Sequence, residues 1–363
     1  MILLVYAKTI VDNRSWFNPA WVLRNRRGEF VLLLCSTIVS VLCLEFASRF
    51  LYASQYQFPL LHDREALLYP PLYEQFHNQP PNEPSVLLLG GSVLWGAGRK
   101  HIIEDATDPP INAYNLAQTG QSTRDSLNKL EYVTKLGYRF DYIIFYHGIN
   151  EVRANNVPPD VFQSDYDHYS FNHFGNTIFQ SKRPFLNQLL RSSLCFRAYS
   201  LWVTLRSTSF FGQRYLHIAF PREDWLQYGD SIKSAKSFEG NLLNIATIAQ
   251  EQGSTLIVPY FVYDPQLDTY QSNPETFVNM DMRHYTQQWG LPGHVWKGLQ
   301  EHNSVMALHA DRYHYSDATK VFMQSPDNFT DPCHFTDEAA PEFAHLLKDV
   351  LGEEIIRHDQ DTQ

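Results

Sequence analysis

The stretch that decides the fold is VLLLGGSVLWGAG, residues 86–98. An apolar run stops at two glycines, and the next residue is Ser92. With Ser85 in front, SVLLLG (85–90) reads as a short strand buried on both faces, as in a parallel sheet. Ser92 then has three readings: a nucleophile on a tight strand-to-helix turn, part of a phosphate-cradling loop, or an ordinary turn residue. The phosphate reading fails on spacing. A P-loop needs Gly, four residues, then Gly-Lys-Ser/Thr. Gly91 and Gly96 have that separation, but Ala97 stands where the lysine should be. Gly96 and Gly98 begin a GxGxxG pattern that His101 breaks.

Working outward, the same alternation of strand and helix continues. INAYNLA (111–117) follows a Pro-Pro break as a second strand. STRDSLNKLEYVTKLG (122–137) is a helix with Leu127, Leu130, Val133 and Leu136 on one stripe, Ser122 as cap and Gly137 as stop. FDYIIFYHG (140–148) is a strand, SFEGNLLNIATIAQEQG (237–253) a helix and STLIVPYFV (254–262) a strand. NSVMALHA (303–310) reads as a further strand, and TDEAAPEFAHLLKDVLGEEIIR (336–357) as a closing helix. This order predicts a three-layer α/β/α sandwich around a parallel sheet. Functional groups in such sheets gather beyond the C-terminal ends of the strands. Ser92, Gly120 and Asn150 each follow one of the first three strands, so their loops share one edge.

Composition narrows the chemistry. The chain has 363 residues, 44% hydrophobic and 14% aromatic, with a formal net charge of −10 and a pI of about 5.8. A chain this acidic has no electrostatic footprint for nucleic acid, and no zinc-finger or RNA-binding signature is present. The four cysteines, Cys35, Cys43, Cys195 and Cys333, form no CxxC pair. Free thiols are the simpler expectation for Cys195 and Cys333, with a disulfide between them left open. No cofactor or metal is expected.

Residues 30–44, FVLLLCSTIVSVLCL, carry no charge. Extended to Tyr52 the segment is long enough to span a bilayer, with Glu45 and Arg49 paired at i,i+4 and Arg49 able to snorkel. Arg24, Arg26 and Arg27 precede it and favour a cytoplasmic N-terminus. A signal peptide, a buried core helix and a helix lying in the interface are the other readings. The chain thus divides into an N-terminal segment (1–29), a membrane helix (30–52) and a proline-rich linker (53–84). An α/β domain (85–357) with an insertion at 152–235 and a tail (358–363) complete it.

Acyl transfer needs a nucleophile, a base and donors for the developing oxyanion. Ser92 supplies the first and its own N–H. Gly120 lets a second N–H come close, because no Cβ blocks the approach. Asn150 adds a side-chain amide. A histidine with an aspartate three residues before it occurs four times: Asp165/His168, Asp281/His284, Asp311/His314 and Asp331/His334. Spacing does not choose among them, but only DPCHFTDEAA leads straight into the closing helix. There Pro332 stiffens the loop and Thr336 is placed to cap.

Ser92 in GGS, Gly120 in NLAQTG, Asn150 in GIN and Asp331/His334 in DPCH resemble, in order and spacing, the SGNH or GDSL-like hydrolase family. The resemblance covers residues 85–150 and about 303–350. It implies a flavodoxin-like fold with Ser92 as nucleophile, His334 as base and Asp331 as the acid that orients it. It also implies an oxyanion hole made by Ser92, Gly120 and Asn150. Gly91 departs from the family's pattern, which has aspartate there, and Glu151 from an aspartate after the asparagine. The expected function is a serine esterase acting outside the cytoplasm on an O-acylated glycan, a lipid or a small ester. An O-acyltransferase modifying a glycan hydroxyl and a non-catalytic glycan-binding or accessory protein of the same fold are the alternatives. The aromatic-rich insertion is either a wall over Ser92 or a subdomain packed on itself.

Overall fold

In the computed structural model, residues 27–56, 84–95, 111–169, 222–270, 286 and 288–361 are described. The chain forms two units. One contains Met1–Leu61 and Ser193–Tyr199, the other His62–Ser192 and Ser200–Gln363.

Within the first unit, helix α1 runs Arg27–Tyr56. Its apolar stretch Gly28–Phe50, 23 residues with mean hydropathy 2.4, is long enough to cross a membrane. At 1.5 Å per residue it measures about 34 Å. Its apolar side chains, among them Leu32, Leu42 and Phe46, are exposed. Within the stretch Glu45 and Arg49 form an ion pair at 2.6 Å, the pairing expected from the spacing.

The second unit is built on five parallel strands: β1 Ser85–Gly90, β2 Asn112–Asn115, β3 Tyr142–Tyr146, β4 Thr255–Pro259 and β5 His314–Ser316. Their order is β2-β1-β3-β4-β5. The order reverses at β1, so the loops after β1 and β3 open on a switch point of the kind that carries sites in doubly wound sheets. Apolar side chains fill both faces: Val86–Leu89 and Ile143–Phe145 have no exposed surface.

The layers follow from the two-residue period of β3. Phe145 meets Phe238 of helix α4 (Ala235–Gln252) at 6.0 Å between ring centroids. Tyr146, on the opposite face, meets Phe343 of helix α7 (Ala339–Asp361) at 5.2 Å. Helices α2 (Thr123–Lys135) and α6 (Pro292–Leu308) pack beside α4. Two shorter helices, α3 (Ile149–Val152) and α5 (Gln266–Tyr270), follow β3 and β4. Two helix ends lie where the sequence places them. The Asp125 carboxylate accepts from the Ser122 N–H at the start of α2. Gly253 closes α4 in the left-handed conformation.

One element differs from the sequence reading. Residues 303–310 are not a strand. Up to Leu308 they are the last turns of α6, which starts at Pro292 and buries Val295, Leu299, His302 and Met306 on one face. Their helical spacing continues the pattern set upstream, where proline favours the first turn. The fifth strand is instead the half-buried triplet HYS (314–316). Most of the aromatic insertion, Cys195, and the Asp281/His284 pair lie outside the described residues.

Candidate active site

Ser92 sits on the turn that ends β1. The Gly91 carbonyl accepts from the Trp95 N–H at 3.1 Å, so Gly91–Trp95 closes as a single helical turn. The next loop is stitched to it: Gln118 N–H donates to the Gly90 carbonyl at 3.3 Å, and the Asn115 side chain to the Leu94 carbonyl at 3.3 Å. Gly120 lies in this second loop with φ of 75°, a conformation that favours glycine.

Asn150 is the second residue of α3, the turn after β3. Its amide donates to the Gln121 carbonyl at 2.8 Å. An amide NH2 has two hydrogens, so one donor of Asn150 remains for another acceptor. Gly91 explains itself here. A Cβ at this position would stand 2.5 Å from Asn150 Nδ2, so the asparagine amide lies directly against the residue before Ser92. A side chain at position 91 would force Asn150 to move.

His334 reaches Ser92 across the sheet edge. Its Nε2 stands 2.6 Å from Ser92 Oγ and its Nδ1 2.6 Å from Asp331 Oδ2. An ionised carboxylate only accepts, so the proton of the neutral ring lies on Nδ1 and Nε2 accepts from the serine hydroxyl. Burial works to raise the Asp331 carboxyl. The hydrogen bond and charge of His334, with the N–H groups of Cys333 and His334 on Oδ1, outweigh it and hold the group below its usual value.

The loop that presents these residues is closed on itself and anchored. Thr330 N–H donates to the His334 carbonyl at 2.8 Å, Phe329 bridges Phe335, and Thr336 Oγ1 accepts from Ala339 N–H at the start of α7. Phe335 packs on Phe343 at 4.4 Å and on Phe322 at 4.9 Å. The Pro332 carbonyl accepts from Asp264 N–H beyond β4. Burial, with Asp331 nearby, raises the Asp264 carboxyl to about 6. Trp289 stands against the His334 ring at 6.1 Å.

Access separates this serine–histidine pair from two others. Ser126–His147 (2.7 Å) and Ser234–His302 (2.9 Å) are enclosed, with the histidines at 2% and 0% exposure. Burial drives His147 to about 3 and His302 to about 4, so both are neutral core residues. Ser92 is half-buried and the His334 side chain 30% exposed. Of the other described candidates, His168 spends both ring nitrogens on Gln163 N–H and the Ala154 carbonyl, and His314 pairs with Glu354 at 3.0 Å.

Asp331, Cys333 and His334 hold three potential metal-ligand atoms within 4.8 Å of one another. The set suits a metal poorly. Both His334 nitrogens are committed to Asp331 and Ser92. The Cys333 thiol, free and buried, is pushed well up by burial and by Asp331, so it stays protonated.

Sequence reasoning passed over a second group of residues. Lys129, Glu151 and Arg153 are buried charged side chains next to the same loops. The sequence marks them only by position: Lys129 interrupts the apolar face of a helix, and Glu151 and Arg153 lie one and three residues past Asn150.

The fold is a doubly wound parallel α/β sandwich of flavodoxin-like strand order, carrying an accessible Ser–His–Asp hydrogen-bonded chain at its switch point. No protein-family model matches the sequence, and no curated protein matches it closely enough to count as a relative. Solved structures similar to it include a GDSL-like lipase from Bacteroides thetaiotaomicron, at 14% identity and TM-score 0.44, covering 80% of this chain and 98% of that one. A putative acylhydrolase from Bacteroides fragilis matches at 12% identity and TM-score 0.39, covering 78% and 95%. An acetyl xylan esterase from Geobacillus stearothermophilus matches at 11% and 0.37, covering 74% and 93%.

Proposed function

We propose that this chain is a serine esterase. Ser92 attacks an ester carbonyl while His334 Nε2 takes its proton. Asp331 holds the ring in the tautomer that leaves Nε2 free and stabilises the imidazolium that forms. The oxyanion is held by the N–H groups of Ser92 and Gly120 and by the second amide hydrogen of Asn150. Collapse of the tetrahedral intermediate expels the alcohol, protonated by His334, and leaves an acyl group on Ser92. Water, deprotonated by the same histidine, releases the acid and restores the serine.

The observation that carries this reading is the pair of 2.6 Å contacts joining Ser92 to His334 and His334 to Asp331, at a half-open position on the sheet edge. The substrates proposed are esters of glycans, lipids or small alcohols. α1 is proposed as a single membrane anchor, with the N-terminus in the cytoplasm and the sheet domain outside it. The test is turnover of 4-nitrophenyl acetate, with and without a sugar acceptor. Release of nitrophenol that is lost in Ser92→Ala supports the reading. Acyl sugar formed in preference to acetate would make the chain a transferase. A folded protein with no turnover of this or longer-chain aryl esters would contradict it.

A further inference from the structure

Three buried charges converge on one loop. Arg153 donates to the Gly120 carbonyl at 2.8 Å. Glu151 accepts from the Thr123 N–H at the start of α2. Lys129, from inside α2, donates to the Leu116 carbonyl and to the Gln121 side chain. With Asn150 on the Gln121 carbonyl, loop 116–123 is gripped at five points, three of them by the single turn 150–153 after β3.

Burying these groups is costly. Lys129 and Glu151 have no exposed surface and Arg153 has 8%. Desolvation brings the Lys129 ammonium down to about 7 and the Glu151 carboxyl up to about 7. Apolar side chains of similar volume would fill the space at less cost. What they would not do is fix backbone peptides. Arg153 fixes the peptide that follows Gly120, and Glu151 fixes the one two residues further on. Neither touches Ser92 or His334 in any hydrogen bond described for it.

We propose that Glu151 and Arg153 are positioning residues that clamp loop 116–123 so that the Gly120 N–H and the Asn150 amide meet the same oxyanion, with Lys129 bracing the loop from α2. The proposal rests on the esterase reading for its kinetic consequence, but the clamp itself is a property of the loop. A misplacement of about 1 Å in such a site costs up to roughly 10²-fold in rate. A loosened clamp therefore lowers kcat and leaves substrate affinity nearly untouched.

The experiment compares wild type with Glu151→Ala, Glu151→Gln and Arg153→Met. It measures kcat and KM on 4-nitrophenyl acetate, and amide hydrogen exchange of the peptide covering 116–123. Both truncations should lower kcat about 10-fold or more with KM within about 3-fold, and should speed exchange in 116–123 more than in β1 or β3. Glutamine keeps the acceptor for Thr123, so Glu151→Gln should recover most of the lost kcat. Unchanged kcat and exchange in either truncation would overturn the clamp, as would a glutamine variant as impaired as alanine. If wild type itself fails to turn over the ester, the esterase reading falls and exchange alone decides the clamp. If a truncation does not fold, Arg153→Lys takes its place. It keeps the charge but not the fork that reaches Gly120, and the same two outcomes apply.

Discussion

The roles proposed at the sheet edge turn on what each nitrogen of a histidine already holds. His334 gives Nδ1 to Asp331 and keeps Nε2 for Ser92, whereas His168 has both nitrogens on backbone groups. His334→Ala should therefore lose kcat as completely as Ser92→Ala, since nucleophile and base act as one unit, and the double variant should be little worse. His314→Ala should stay within a few-fold of wild type on an aryl ester. An active His334→Ala would remove it as the base. Asn150→Ala should fold and lose roughly 10²- to 10³-fold in kcat, the cost of one oxyanion donor. Normal kcat there would reduce Asn150 to a turn residue. Ser92, Gly120, Asn150 and the DPCH loop were legible in sequence because each follows a strand or precedes a strongly patterned helix. Glu151 and Arg153 were not, because nothing in a linear sequence shows which carbonyl or N–H a buried charge will meet.

At the scale of elements, β1, β3, β4, α2 and α4 were legible because each combines an uninterrupted apolar run or stripe with a cap or glycine stop. Strand β5 was not. Its three residues are half-buried and carry no apolar run, so the eye moves to the apolar VMAL at 305–308, which belongs to α6. The turn carrying Ser92 depends on glycine in the same contextual way. Gly91→Ala should displace Asn150 and lower kcat at unchanged fold, and a crystal structure with Asn150 in its original place would contradict this. The short α3 after β3 makes a pH-dependent demand on stability. Its Glu151 carboxyl is faced by Asp125, His147 and Arg153. Its pKa rises from 4.5 unfolded to about 7 folded, so between those values the folded state binds more protons. Stability from this group is then lost as pH rises from 4.5 toward 7 and is level above. Melting curves should show the difference between Glu151→Gln and wild type moving in the variant's favour over that range. A constant difference would mean that Glu151 titrates normally.

For the whole molecule, the prediction concerns the orientation of the chain about α1. Arg24, Arg26 and Arg27 before α1 predict the N-terminus in the cytoplasm and the sheet unit outside. A C-terminal reporter active only outside the cytoplasm should be active, and activity of a cytoplasm-only reporter at that end would reverse the orientation. Class of fold was readable from strand–helix alternation alone. The substrate was not, since it depends on walls that no local pattern describes. The central claim is that Ser92 is the nucleophile. The most direct measurement is to treat the folded protein with a fluorophosphonate and locate the adduct by peptide mass spectrometry. The account predicts one stoichiometric adduct on Ser92, absent in Ser92→Ala and strongly slowed in His334→Ala. An adduct on any other residue, or none on the folded protein, would contradict it.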